Sequence, residues 1–333
     1  MSKKPKDTDY LHISARLRAM EGRLLTWERR ERMLDARSNE DAVKVLAECG
    51  WEGLESMDAQ SLEAALTKNR DEAFEELRKL APDPILVDVF RVKYDYHNAK
   101  ALIKCAASGR DPASMLSPAG RYPADTLREA LEADEAPAAV SKTLWDAAGE
   151  ARDTLAATGD PQRSDFLLDR AYFGELTEMA KASGSRFLQE YVALRIDVNN
   201  LRAAVRAIRQ KKGADFLNRV LVSGGTVSPG RISAAAVSGG SLADLFPEAL
   251  REAAAMGDEI TDHGSQTAFE RACDNVLGAY LKKSRMVPFG ESVLISYLGA
   301  LENDLTAVRI ILGGRLAGVP TESIRERMRE AYV

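Results

Sequence analysis

The stretch DVNNLRAAVRA, residues 197–207, decides the fold because it has two near-copies in the same chain. DYHNAKALIKC begins at Asp95 and DLTAVRIILGG begins at Asp304, so the three copies start at nearly even intervals. Each copy has Asp first, Asn or Ala three positions later, Lys or Arg two positions after that, and then an apolar run. The repeat indicates one structural unit used three times.

The apolar positions around each copy alternate in steps of four and three residues, which is the spacing of one face of an amphipathic helix. In the middle copy they are Phe187, Tyr191, Leu194, Val198, Leu201, Val205 and Ile208. The matching positions of the first copy are Ile85, Val89, Val92, Tyr96, Ala99, Ile103 and Ala106. Those of the third copy are Leu294, Leu298, Leu301, Leu305, Val308, Leu312 and Arg315, of which only the last is polar. The sequence therefore predicts the same long helix, which we call the signature helix, three times.

Polar residues of the three copies also match in position. They form three sets: Asp95, Asp197 and Asp304; Asn98, Asn200 and Ala307; and Lys100, Arg202 and Arg309. Asp inside a helix is less favourable than Ala by roughly 0.5 kcal/mol, so its recurrence indicates a tertiary partner, such as a basic residue of a neighbouring helix. The alternative is that three solvated surface carboxylates remain from a duplication.

Segments rich in Gly and Pro follow the first two copies and predict domain boundaries. SMLSPAGRYPADTL, residues 114–127, resembles RVLVSGGTVSPGRI, residues 219–232, and the match sets Gly120 opposite Gly225. Gly and Pro end helices and turn the chain. We therefore expect helical domains at residues 1–117, 118–224 and 225–333. After the third copy, Pro320 and Thr321 begin a last amphipathic helix.

The rest of the chain also has helical periodicity. Apolar spacing continues from Tyr10 to Leu34, and Ser38 is a candidate N-cap with an acid three residues later and Gly50 as a stop. No alternating run is long enough to predict a strand. The expected fold class is all-α, with three structurally similar helical domains.

Composition is that of a globular protein with mixed charge. Hydrophobic residues make up 45% and charged residues 29%, and the net charge is −5. A mildly acidic chain gives no global reason to expect nucleic-acid binding. The three cysteines, in no metal-type spacing, indicate free thiols in a reducing cytosol, and the polar first residues show no secretion signal.

Motifs that carry catalysis or bind cofactors are not recognisable. VSGGTVSPG and AVSGGSLAD have Gly pairs but no Lys or preceding strand, so they predict turns rather than a phosphate-binding loop. His12, His97 and His263 are isolated in sequence, and HExxH, CxxC and GxSxG patterns do not occur. We expect a non-catalytic chain without a cofactor or a resident metal.

A cluster of cations ends the second signature helix: Arg202, Arg206, Arg209, Lys211 and Lys212. Lys100 and Lys104 form a weaker cluster in the first. Cations at a helix C-terminus are favoured by about 0.3–1 kcal/mol each, which is one explanation. The other is that Arg206, Arg209, Lys211 and Lys212 contact an acidic partner surface.

The three signatures together resemble a known family. RVKYDYHNAKALIKC, ALRIDVNNLRAAVRA and the region from Tyr297 to Val333 are similar to the C subunit of the prokaryotic V-type (A-type) ATPase/ATP synthase, the counterpart of the d subunit in eukaryotic enzymes. YLHISARLRAMEGRLLTWERRERMLDARSNEDAVKVL resembles the first helices of that family, and LLDRAYFGELTEMAKASGSRFLQEYV resembles its middle domain. The likeness runs from about Tyr10 to Val333. Ala307, where Asn is usual, and Asp304, where Glu is common, depart from it.

This resemblance implies a funnel of three related helical domains around a pseudo-threefold axis. Such a protein is a non-catalytic part of the central stalk, and it acts as a socket between the central shaft and the membrane rotor ring. Its expected partners are the shaft subunits and the cytoplasmic face of the ring. It would then be a peripheral protein on the cytoplasmic side of the membrane, without bilayer insertion or nucleic-acid binding.

Two other functions remain open from the residues alone. A free-standing adaptor would use the concave face of a repeat array as a general protein-binding surface. An α-helical enzyme would need convergent polar groups in a deep pocket between domains, and the sequence offers no recognisable set.

Overall fold

The protein is built from α-helices, as a computed structural model shows for residues 4–52, 54, 58–133, 135–260 and 264–333. The helices are α1 (Leu11–Glu21), α2 (Trp27–Leu34), α3 (Asn39–Glu48), α4 (Ala59–Leu80), α5 (Ile85–Ser108), α6 (Ala124–Glu132), α7 (Lys142–Thr158), α8 (Pro161–Ser183), α9 (Arg186–Arg209), α10 (Ala214–Val220), α11 (Pro229–Ser238), α12 (Glu248–Ile260), α13 (Gln266–Lys282), α14 (Glu291–Leu316) and α15 (Thr321–Glu326). Single 3-10 turns occur at Asp7–Tyr10, Ala113–Met115 and Lys283–Met286. No residue in the described ranges is in a β-strand, so the all-α prediction is confirmed.

The three signature helices are α5, α9 and α14, and they are long: 24, 24 and 26 residues. Their predicted apolar stripe is largely buried, because the step of three and four residues keeps these side chains on one face. Val89, Val198 and Leu298, for example, are almost fully removed from solvent. The core of the protein therefore forms around these helices.

Each signature helix packs on the helix that precedes the next signature helix. α5 contacts α8, α9 contacts α13, and α14 returns to α4 near the beginning of the chain. The basic residue of each signature pairs with an acid of that neighbouring helix: Lys100 with Asp169 (2.6 Å), Arg202 with Asp274 (2.7 Å) and Arg309 with Glu63 (2.7 Å). The contacts thus follow a cycle that closes on itself.

The signature Asp of each helix is buried and accepts backbone N–H groups from a segment that crosses the helix. We call residues 117–122, 222–227 and 22–26 the crossing segments. Asp95 accepts from the N–H of Arg121 (2.8 Å) and from the Nε of its guanidinium (2.6 Å). Asp197 accepts from the N–H groups of Thr226 (3.0 Å) and Val227 (3.3 Å). A buried carboxylate therefore holds each of these two segments against its helix.

The third signature Asp finds its donor at the other end of the chain. Asp304 accepts from the N–H of Leu25 at 2.8 Å, 279 residues earlier in the sequence. Its second oxygen accepts from the guanidinium of Arg30, also at 2.8 Å. The crossing segment of α14 therefore comes from the N-terminal region. Because all three carboxylates are buried, the alternative of three solvated ones does not hold.

The signature Asn adds a second contact in two copies. The side chain of Asn98 bonds both backbone groups of Ser117, at 2.8 and 2.7 Å. Asn200 does the same with Val222, at 2.8 and 3.0 Å. Ala307 cannot form this contact. In α14 a different side chain, that of Asn303, donates to the backbone carbonyl of Glu330 near the end of the sequence (2.7 Å).

Two glycines allow the crossing segments to approach so closely. A Cβ on Gly120 would collide with the carboxylate of Asp95, and a Cβ on Gly225 would collide with that of Asp197. The match of these glycines in the sequence therefore has a steric cause. In the third crossing segment the corresponding residue, immediately before Leu25, is Leu24.

The apolar spacing from Tyr10 to Leu34 does not form one helix. α1 ends at Glu21, and α2 begins at Trp27 after Thr26, whose hydroxyl caps the helix by accepting from the N–H of Arg29 (3.2 Å). The interruption leaves the N–H of Leu25 free to bond Asp304, because an uninterrupted helix would have used that group internally. Periodicity alone did not reveal the break.

Further contacts join the beginning of the chain to its last helices. The guanidinium of Arg315 donates to the carbonyls of Leu34 and Ala36, both at 2.8 Å. Arg325 pairs with Glu31 at 2.9 Å. Residues of the predicted domain 1–117 thus complete the surroundings of α14. The three-domain division stays a prediction.

Replacing the buried carboxylate of the middle copy tests its role. Asp197→Ala leaves the N–H groups of Thr226 and Val227 without their acceptor, so we expect a loss of roughly 2–4 kcal/mol in unfolding free energy. Asp153→Ala on α7 is the control, because that side chain is 82% exposed. Denaturant titration of both variants measures the difference. A loss at position 197 no larger than that of the control would contradict this role.

The pH dependence of stability tests the burial of the third carboxylate. Burial raises the pKa of Asp304 from 3.8 to about 6, although Arg30 opposes the shift. The folded protein therefore binds a proton near pH 5 that the unfolded chain does not bind, so this group stabilises at low pH and loses its effect as the pH rises through 6. Lowering the pH from 7 to 5 should stabilise the wild type relative to Asp304→Asn by on the order of 1 kcal/mol. Equal pH dependence of the two proteins in denaturant titrations would contradict the shift.

Candidate functional site

A cleft of about 240 Å3 lies where the three signature helices come together. Its lining includes Lys93 and Tyr94 from α5, Tyr191 from α9, and Glu302 and Thr306 from α14. Side chains of α4, α13 and the residues after α15 complete the walls. All three signature helices therefore contribute to the lining of this cleft.

Three charged residues occupy one matching position in this region. Lys93, Arg195 and Glu302 each stand two residues before the signature Asp of their helix, and we call them the axial triad. The Nζ of Lys93 lies 2.5 Å from the Oε1 of Glu302. Arg195 donates to the hydroxyl of Tyr172 at 2.8 Å, and its guanidinium lies 5.8 Å from the ring centre of Tyr191. The triad carries two cations and one anion.

The surroundings keep these charges in place. Burial disfavours the Lys93 ammonium, but the carboxylate of Glu302 more than offsets it and raises the pKa of Lys93. Burial also raises the pKa of Tyr191 to about 12, although Arg195 opposes that shift. Tyr191 is therefore neutral at physiological pH. The carboxylate of Glu302 is the anion of the triad that acts on both Lys93 and Arg195.

The other cations of the cleft have acidic partners. They pair as follows: Arg70 with Asp71 (3.0 Å), Arg309 with Glu63 (2.7 Å), Arg329 with Asp274 (2.8 Å) and Lys282 with Glu330 (3.2 Å). The guanidinium of Arg70 also lies over the ring of Tyr94, 4.5 Å from its centre. Arg195 differs from them, because in the described part of the chain it has a tyrosine hydroxyl and no carboxylate as its partner.

The predicted basic cluster at the end of α9 lies elsewhere. Arg202, Arg206 and Arg209 line a second cleft together with Gln266 and Glu270. Arg209 donates to Gln266 at 2.6 Å, and Arg206 is exposed. Lys211 and Lys212 do not line this cleft; the ammonium of Lys212 lies 5.8 Å from the ring centre of Phe216. Whether this cluster binds an acidic partner stays a prediction.

Sequence reasoning found the signature Asp, Asn and basic positions but missed the axial triad. A signal existed, because the three residues occupy the same register in the repeat. The three residues are two bases and one acid, however, and charged residues on a helix usually indicate a solvated face. Only the packing of α5 against α14 shows that Lys93 and Glu302 meet.

Among the residues that the structure describes, no group of three His, Cys, Asp or Glu side chains is placed to hold a metal ion. His97 contacts the carbonyl of Met115 at 2.9 Å, His12 is exposed, and His263 lies outside the described residues. The three cysteines are buried and unpaired. In the same ranges, no helix has the length and apolar character to cross a membrane.

Comparison with known proteins gives one consistent result. The model of the ATP synthase (C/AC39) subunit family matches residues 13–327. The C subunit of the V-type sodium ATPase of Enterococcus hirae is 23% identical, over 97% of this chain and 99% of its own. The C subunit of the V-type ATP synthase of Thermus thermophilus is 25% identical over 96% and 98%, and that of the A-type ATP synthase of Pyrococcus abyssi is 24% identical over 98% and 91%.

A pair of variants on α9 separates a buried ion pair from an exposed cation. Arg202 pairs with both Glu270 (2.6 Å) and Asp274 (2.7 Å). Arg202→Met leaves two partly buried acids without their cation, so the unfolding free energy should fall by about 1–3 kcal/mol. Arg206→Met, one turn further on an exposed face, should change it by less than about 0.5 kcal/mol. Equal effects in denaturant titrations would show that the contact between α9 and α13 adds no stability.

Proposed function

Because this chain belongs to the ATP synthase (C/AC39) subunit family, we propose that it is a non-catalytic subunit of the central stalk of a rotary ATPase. In this role it is the socket that joins the central shaft to the membrane rotor ring. It transmits torque between them, while ATP chemistry takes place in other subunits.

The closed cycle of contacts between helices carries this proposal. α5 packs on α8, α9 packs on α13, and α14 packs on α4, the helix that precedes α5. A twisting force applied inside such a cycle reaches every member, since packed interiors are barely compressible. The buried bonds of Asp95, Asp197 and Asp304 to the crossing segments add fixed points at three places.

The arrangement that we propose is a funnel of three similar domains around a pseudo-threefold axis. Residues 1–117, 118–224 and 225–333 supply one signature helix each. The matching surroundings of the signature Asp residues support this arrangement, as does the convergence of the axial triad. The cleft between the signature helices is the proposed entrance for the shaft.

We further propose a peripheral position on the cytoplasmic side of the membrane. The protein would contact the rotor ring from outside the bilayer and the shaft subunits from the opposite end. Membership of the family supports this placement, since it makes the chain part of a rotary ATPase complex.

Reconstitution of the host enzyme tests the proposal. Complexes assembled into vesicles without this chain should hydrolyse ATP but lose most ATP-driven ion pumping, because the shaft no longer turns the ring. Adding the purified chain should restore pumping, and adding the Asp153→Ala variant should restore it equally. Full pumping in the absence of the chain would contradict the assignment.

A further inference from the structure

We infer that the axial triad is a receptor for one carboxylate at the tip of the shaft. The inference rests on the proposed function. It adds the chemistry by which the socket recognises its occupant.

The triad residues stand at equivalent positions of the repeat but do not all carry the same charge. Lys93, Arg195 and Glu302 occupy one register of three repeated helices, two residues before each signature Asp. One acid among two bases makes the three sites unequal.

Charge identifies the preferred partner as an anion. Glu302 pairs with Lys93 at 2.5 Å and also acts on Arg195, so one carboxylate serves two cations and the triad keeps one surplus positive charge. The nearest polar contact of Arg195 is the hydroxyl of Tyr172, and Tyr191 beside it is neutral at physiological pH. Two partly buried cations that share one carboxylate are incompletely neutralised, so an incoming anion is favoured at this point.

Shape favours a carboxylate carried by a protein. A planar guanidinium matches a carboxylate with two parallel hydrogen bonds. The adjoining cleft, at about 240 Å3, is smaller than the 300–1,000 Å3 typical of sites for small organic ligands. It suits one or two side chains of an inserted helix end. Arg195 does not line this cleft itself, but it is partly exposed and lies beside Tyr191, which does.

Binding of the purified shaft subunits to the purified chain tests the inference. Arg195→Gln removes one of the two cations and should weaken binding by roughly tenfold or more, while Arg195→Lys, which keeps the charge but loses the paired hydrogen bonds, should weaken it less. Glu302→Gln removes the competing anion and should bind as tightly as the wild type or more tightly. Arg152→Gln on α7, whose side chain is 58% exposed and lies in neither the cleft nor the basic cluster of α9, is the matched control and should not change affinity.

Opposite effects at positions 195 and 302 distinguish recognition from a structural role, which would make both variants weaker. Binding of the wild type should also decline as salt is raised, and Arg195→Gln should reduce that dependence. Normal binding by Arg195→Gln, or equal weakening by Arg195→Gln and Glu302→Gln, would overturn this inference and leave the proposed function standing. Failure of the wild-type chain to bind the shaft would overturn the proposed function as well.

Discussion

A buried carboxylate that accepts the backbone N–H groups of a crossing segment is the interaction on which the architecture depends. Asp95 and Asp197 hold segments that follow their own helices, whereas Asp304 holds a segment from the N-terminal region. Removing a carboxylate from water is costly, and only donors in fixed positions repay the cost. The same bond that ends two of the repeats therefore also joins the third repeat to the beginning of the chain.

The closed cycle of contacts between α5, α9, α14 and their neighbouring helices suits the mechanical role that we propose. Ion pairs such as Lys100 with Asp169 and Arg202 with Asp274 link each signature helix to the next part of the array. These ion pairs lie between helices rather than in flexible connections, as the transmission of torque that we propose requires. The axial triad lies where the signature helices meet, so a proposed occupant would act on all three at once.

Much of the fold could be predicted from the sequence, because helices with a regular apolar face reveal themselves by period. The three signature helices, the start of α15 and the cap at Ser38 are confirmed. The donors to the signature Asp residues could not be predicted, since they depend on which loop crosses which helix. The break between α1 and α2 was hidden because the apolar spacing continues across it, and the partner of the freed N–H of Leu25, Asp304, lies far away in sequence. The axial triad was missed because its members share a register but not a charge.

A cross-linking measurement tests the central claim, that the shaft occupies the space between the signature helices. Thr306 lines the cleft and is exposed, and the three native cysteines are buried, so Thr306→Cys introduces one accessible thiol there. In the assembled enzyme, a short thiol-to-amine cross-linker at this position should capture one of the shaft proteins, whereas Asp153→Cys on α7 should not. Capture from position 153 but not from position 306, in enzyme that still pumps ions, would contradict the account.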